Sequence, residues 1–244
     1  MASAVDRVSK AIEAIAAAGH ARASDLAVEL GMSRQAVSRL LDDLVEGGLA
    51  LRHDDTKTYS LGLRIYSWGS QAVASYLPAM TTRLAIRRLA LEIPHPVFYM
   101  TRQGEWTYTI ERTVAQGEQI DFKPTASHNH WSNTTTGRLL VAFAPPAERE
   151  RLLGQIAHSH RNVQELRQEL ENTARQGFAE THTTPIRYTV AAPVLDDRGY
   201  AMAALAIVVA NYDDSEREHL ISSLKDTAAR SAAELGATLG LLVP

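Results

Sequence analysis

Five polar side chains in one short segment, Ser33, Arg34, Gln35, Ser38 and Arg39, are of the types that read nucleic-acid bases. Arginine holds guanine and glutamine holds adenine through paired hydrogen bonds, each worth roughly 1–3 kcal/mol of discrimination. Serine hydroxyls suit phosphates or base edges. The spacing puts all five on one face of a helix capped by Ser33, while Val37, Leu40, Leu41 and Leu44 form the opposite, apolar stripe. A preceding helix, capped at Ser24 with Leu26, Ala27 and Leu30 inward, is expected to stop at Gly31, a residue free to take the left-handed conformation. Helix, tight turn and second helix outline a helix-turn-helix, which lays its second helix in the major groove. A solvated helix face is the plain alternative; the composite of helix, turn and glycine favours DNA recognition.

Stepping outward, Val5, Val8, Ile12 and Ile15 recur at helical spacing and Gly19 ends that pattern. Leu49 to His53 and Thr56 to Leu61 read as two strands around Asp54-Asp55, the form of a wing. Arg52 and Lys57 there are candidate phosphate contacts, and the aspartate pair at the tip opposes deep insertion. Residues 1–62 carry seven Lys/Arg against nine Asp/Glu, so affinity for DNA must come from where the cations sit.

The 244 residues suffice for one large domain or two modest ones, and the net charge of -3 gives no general attraction to nucleic acid. Zero cysteines exclude disulfides and thiolate metal sites and fit a reducing compartment. The N-terminal stretch reads as an amphipathic helix rather than a signal peptide, and no apolar run is long enough to span a bilayer, so a cytoplasmic protein without a membrane partner is expected. No G-x-S-x-G, G-x-x-x-x-G-K-[ST], G-x-G-x-x-G or H-E-x-x-H occurs, so a non-enzyme is expected. His128 and His130 lack a third ligand nearby, so neither a metal nor a cofactor is expected.

Residues 63–76 read as a linker helix, and 77–244 as a second domain. A helix to Leu91 is expected to bury Leu84, Ile86, Leu89 and Ala90 and expose Arg83, Arg87 and Arg88. A hairpin follows around Gln103-Gly104, then a strand at Ile120-Asp121-Phe122, and helices at Gly137 to Phe143, Ala147 to Gly154 and Val163 to Gln176. Strands at Phe178 to Thr183, Tyr188 to Leu195 and Tyr200 to Val209 precede a final helix from Asp214 or Ser215 to about Gly240, the last two joined by the turn Asp196-Asp197-Arg198-Gly199. Antiparallel strands with helices grouped between and after them imply an α+β sensor domain. The Thr-rich segment from Ser127 to Gly137 approaches a helix start, where hydroxyls and free N–H groups favour an anion. Trp131 suits either a pocket wall or the core, and a threonine at 134 or 135 suits an N-cap.

With Tyr59-Ser60-Leu61-Gly62, Thr136-Gly137-Arg138-Leu139-Leu140, Gln176-Gly177-Phe178-Ala179 and Ala191-Ala192-Pro193-Val194-Leu195-Asp196 in this order, the chain resembles the IclR family of bacterial transcription regulators along essentially its whole length. The resemblance implies a winged helix-turn-helix, a linker helix and a GAF-like effector domain. It also implies a homodimer or homotetramer on operator DNA, with affinity modulated by a small effector, as repressor or activator. It implies effector contacts at His130, Trp131, Thr135, Thr136, Gly137, Thr189, Ala206 and Val208. Family members that take small keto acids have serines in the last sheet strand; Ala206 and Val208 stand here, with Thr189 beside them, which implies a larger or less polar effector. Thr181-His182-Thr183-Thr184 replaces residues that are often acidic in the family. A C-terminal domain that only oligomerises is the competing reading. A biotin-ligase-like fusion is disfavoured by the lack of a Gly/Arg-rich adenylate loop.

Overall fold

The computed structural model describes residues 3–74, 77–113, 128–156, 162–184, 187–210 and 213–242. They form two compact units, Met1–Ser75 and Tyr76–Pro244.

The first unit begins with α1 (Ala4–Ala18), capped by the Ser3 hydroxyl, which accepts from the Asp6 N–H. Its inward face is Ala11, Ala14 and Ile15; Val5 is exposed. After it come β1 (Ala21–Arg22), α2 (Ala23–Glu29), α3 (Arg34–Glu46), β2 (Ala50–His53), β3 (Thr58–Leu61) and α4 (Leu63–Ala74). The sheet order is β1-β3-β2, with both pairings antiparallel. Ser24 does not cap α2. The chain is already extended at Ala21 and Arg22, where it pairs with Tyr59 and Thr58, and turns straight into helix at Ala23. The Ser24 hydroxyl instead donates to the Asp25 carboxylate. Leu26, Val37, Leu41, Leu44 and Tyr59 close one apolar core with Ile15, leaving Leu30 and Leu40 at its half-buried rim.

The second unit begins with α5 (Leu77–Glu92), β4 (Val97–Gln103), β5 (Trp106–Arg112), β6 (His128–His130) and a 3-10 turn at Trp131–Asn133. Then follow α6 (Thr135–Ala142), α7 (Pro146–Ile156) and α8 (Val163–Gln176). β7 (Ala179–Thr184), β8 (Arg187–Leu195), β9 (Ala201–Ala210), a second 3-10 turn and α9 (Arg217–Leu242) complete it. One six-stranded antiparallel sheet runs β6-β5-β4-β9-β8-β7. The expected strand at Ile120-Asp121-Phe122 lies outside the described residues; β6 pairs with β5 in the order Trp106↔His130 to Tyr108↔His128. On α5, Ile86 and Leu89 are buried as expected, Ala85 joins them and Leu84 is exposed.

Alternation along the strands divides the sheet into two faces. Ala179, Ala191, Ala204 and Ala206 pack under Leu139 and Leu140 of α6. The intervening Val190, Ala192, Leu205 and Ile207 are equally buried, on the face covered by α5 and α9. Small side chains under α6 let that helix lie close to the sheet. Behind it, α6, α7 and α8 share a further apolar cluster that includes Leu152, Leu166 and Leu170.

Candidate nucleic-acid interface and effector site

The recognition segment is built as its sequence dictates. Ser33 has extended backbone, and its hydroxyl accepts from the Ala36 N–H at 3.2 Å, so it acts as the cap of α3. Arg34, Gln35, Ser38 and Arg39 are all exposed, whereas Val37, Leu41 and Leu44 fill the core. Among the described residues neither Arg34 nor Arg39 has an ion-pair or hydrogen-bond partner. In the wing, Arg52 pairs with Asp54 at 3.0 Å, both well exposed. Lys57 is exposed and holds a left-handed backbone, φ 57°, in the turn between β2 and β3.

One feature of this unit escaped sequence reasoning. The Arg64 guanidinium donates to the Gly47 carbonyl at 2.8 Å, just beyond the last turn of α3. Gly62 approaches Gly48 so closely that a Cβ there would lie 2.1 Å from the Gly48 oxygen.

In the second unit the Thr134 hydroxyl accepts from the Gly137 N–H at 3.0 Å and caps α6. Gly137 is required by contact: a Cβ would stand 2.2 Å from the Trp131 carbonyl oxygen. Thr135 and Thr136 are buried in the first turn. The sheet beneath α6 brings Thr189 and Val208 into register as direct partners, with Thr181 across from Thr189 and Ala206 across from Ala191. Thr189 and Val208 are half-buried; Ala206 is covered by Leu139 and Leu140.

Trp131 is placed in the core: it is fully buried in the cluster of α6, α7 and α8. His130 accepts the Ser132 N–H through Nδ1 at 3.3 Å and packs edge-on to Trp106. Its Nε2 lies 3.9 Å from the Glu105 carboxylate. Among the described residues no group of three potential metal ligands occurs, and no helix is long and apolar enough to cross a membrane.

Arg138 was legible only as part of a motif, yet it organises this region. It is buried, and its guanidinium donates to the Glu169 carboxylate at 2.5 Å, the Ser132 carbonyl at 3.1 Å and the Thr181 hydroxyl at 3.3 Å. The arginine thereby ties the start of α6 to α8 and to the edge strand β7. On the opposite face, Glu180 accepts from Tyr188 at 2.7 Å and from Arg217 at 2.8 Å. Burial alone would raise the Glu180 carboxyl; the Arg217 guanidinium and the Tyr188 hydroxyl reverse this and hold it below the usual carboxylate range.

A winged helix-turn-helix with an exposed, unpaired basic and amide face defines a DNA-binding protein, here joined to an α+β unit. Residues 8–57 match the MarR family model, and residues 79–233 match the model described as bacterial transcriptional regulator IclR C-terminal. The chain belongs to the IclR family of bacterial transcriptional regulators. It is 26% identical over 191 residues to the probable transcriptional regulator SauR of Cupriavidus necator, covering 75% of each chain. It is 21% identical over 220 residues to the HTH-type transcriptional regulator KdgR of Dickeya chrysanthemi, covering 86% of this chain and 72% of that one. Among solved structures, an IclR homologue from Microbacterium hydrocarbonoxydans complexed with 4-hydroxybenzoate shares the fold at a TM-score of 0.75 and 19% identity, covering 96% of this chain and 100% of that one. The IclR of Thermotoga maritima shares it at 0.69 and 19%, covering 95% and 98%.

Proposed function

We propose that two N-terminal units of a dimer read two operator half-sites, and that a small organic acid with an apolar body, bound beneath α6, sets their affinity for DNA. Arg34 and Gln35 then read bases with Ser38 and Arg39 beside them, Ser33 sets the helix start, and Arg52 and Lys57 hold phosphates. The effector lies between the first turn of α6, with Thr135, Thr136 and Gly137, and the sheet row of Thr189, Ala206 and Val208. His130 contributes at the rim, and Trp131 supports from the core.

The observation that carries the effector class is the half-buried pair Thr189 and Val208, set in register on the sheet face that α6 covers. One hydroxyl beside an isopropyl group suits a ligand with one polar end and an apolar body better than a compact keto acid. The 4-hydroxybenzoate held by the Microbacterium relative has such an apolar body, its aromatic ring, with a polar group at each end of it. Dimer formation is supported by α4, which buries none of its residues within the chain and exposes Leu63, Tyr66 and Trp68.

A ligand that prefers the native state raises apparent stability, by about 2.7 kcal/mol at a hundredfold excess over Kd. Thermal unfolding with 4-hydroxybenzoate and with pyruvate tests the effector class. Stabilisation by the aromatic acid and not by pyruvate is expected; the reverse order overturns it. An effector that prefers one arrangement of the readers by ~1–3 kcal/mol changes operator affinity 5–150-fold.

A further inference from the structure

We propose that Arg64 is a positioning residue that pins the linker helix α4 to the end of the recognition helix α3, so that reader and linker turn as one body. Its consequence for half-site spacing rests on the two-half-site reading above; the pin itself does not.

The geometry is specific. Because α4 has no buried residue, no hydrophobic core fixes its direction. What fixes it is a small set of contacts at its first turn. The Gly62 N–H donates to the Leu49 carbonyl at 2.9 Å, and the Gly62 Cα sits so near the Gly48 carbonyl that no side chain fits between. Backbone therefore lies on backbone where the wing returns to the segment that leaves α3.

Two residues further on, the Arg64 side chain runs back over Gly48, with its Cδ 3.6 Å from where a Cβ would stand. It ends on the Gly47 carbonyl at 2.8 Å. That carbonyl belongs to the C-cap of α3, at the electronegative end of the helix, where a cation is favoured. The guanidinium also lies 5.0 Å from the centre of the Trp68 ring, one turn along α4. Trp68 thus holds the arginine from the α4 side while Gly47 holds it from the α3 side. Without that strut the contacts described at the first turn of α4 reduce to backbone ones at Gly62, about which the helix would swivel. Any displacement of the linker helix is then delivered to α3 as a rotation of the reading face, rather than absorbed at the junction.

The chain has no cysteine, so two introduced cysteines give unique labelling sites. Spin labels on Asp42→Cys in α3 and Gln71→Cys in α4, both exposed positions, report the distance between the helices. The labelled full-length protein is diluted into unlabelled protein and measured by double electron–electron resonance. With Arg64 present the distribution is narrow. Arg64→Ala is expected to widen it about twofold, as loss of a hinge restraint requires. Arg64→Lys, which keeps a donor but loses the guanidinium that lies over Trp68, falls between and keeps the test open if the alanine variant folds poorly. An unchanged width in both variants overturns the proposal.

A second arm uses duplexes selected from a random pool by the wild-type protein and then re-spaced. Two added base pairs turn one half-site by about 70°, and wild-type affinity is expected to fall about tenfold. Arg64→Ala is expected to lose less than about threefold on the same duplexes. A merely structural role for Arg64 would weaken every spacing equally and leave the distance distribution narrow, which also overturns the proposal. A widened distribution with wild-type binding indifferent to spacing upholds the pin and overturns the two-half-site reading.

Discussion

Replacing Arg138 by methionine isolates the strut that organises the second unit, because the stem is kept and the guanidinium removed. Three acceptors lose their donor: the Ser132 carbonyl, the Thr181 hydroxyl and the Glu169 carboxylate. They do not suffer equally. The Ser132 carbonyl is buried beside Arg138, and losing that charged donor there is worth about 2 kcal/mol. Thr181 keeps a hydrogen bond of its own to the Glu180 carbonyl, which limits its share to about 0.5 kcal/mol. Glu169 has a side chain 48% exposed and rehydrates; an ion pair so open contributes about 0.5 kcal/mol. The sum, about 3 kcal/mol, corresponds to a fall of roughly 6–12 °C in the melting temperature of a unit this size. Glu169→Gln retains an acceptor for the guanidinium and should cost no more than about 3 °C. Thermal unfolding followed by far-UV circular dichroism measures both variants. An Arg138→Met shift under about 3 °C, or a Glu169→Gln shift equal to it, refutes the claim that the Ser132 carbonyl carries the cost.

Glu180 predicts a pH signature. Its folded-state pKa is depressed below the ordinary 4.5, so its contribution is present above that value and is lost as pH falls through the depressed one. Glu180→Gln should therefore be less stable than wild type at neutral pH, with the gap closing in acid below 4.5; thermal scans across pH check this, and a constant gap refutes it. Gly137→Ala should destabilise by roughly 2–4 kcal/mol, since its Cβ meets backbone that cannot yield. Gly154→Ala, in α7 with nothing within 4 Å, should stabilise by about 0.5–1 kcal/mol; denaturant melts separate the two. Arg34→Ala should change which bases are preferred, whereas Lys57→Ala should weaken all sequences alike; gel shifts on a mutated-site panel distinguish base from phosphate contacts. Val208→Ser should move effector choice toward small polar acids, read by thermal shift, and unchanged selectivity removes Val208 from the site.

The readable parts of this chain are those whose physics is local. The stripe of α3, its serine cap and the glycines around it lie within a few residues of one another, and they announced the element and the winged helix-turn-helix to which it belongs. The unread parts depend on distant partners. Ser24 is as good a cap by type as Ser33, yet the pairing of Ala21 with Tyr59 starts the helix before Ser24 can cap it. His128–His130 has no alternation to mark it as a strand and is fixed by β5. Arg138 stands in a run of apolar helix, and only the fold supplies Glu169 and Thr181, thirty-one and forty-three positions away. Trp131 illustrates the same limit, since the sequence leaves pocket wall and core open and three helices decide for the core.

The cations of the reading face and those of the second unit differ in how they are paired, and that contrast bears on how DNA is found. In the second unit Arg102 pairs with Glu148, Arg138 with Glu169, Arg167 with Glu150 and Arg217 with Glu180. In the first, Arg34, Arg39 and Lys57 have no acidic partner among the described residues. Arg52 is held only by the exposed Asp54, a pair worth no more than about 1 kcal/mol and readily exchanged for a phosphate. With seven cations against nine anions in residues 1–62, the reader carries no net positive charge to draw it onto arbitrary DNA. On the reading proposed above, in which Arg52 and Lys57 hold phosphates, non-specific binding is weak and the difference between right and wrong sites comes from the base edges assigned to Arg34 and Gln35. A reader of that kind depends on the angle at which α3 is presented, and that angle is what a linker helix anchored at Gly47 controls.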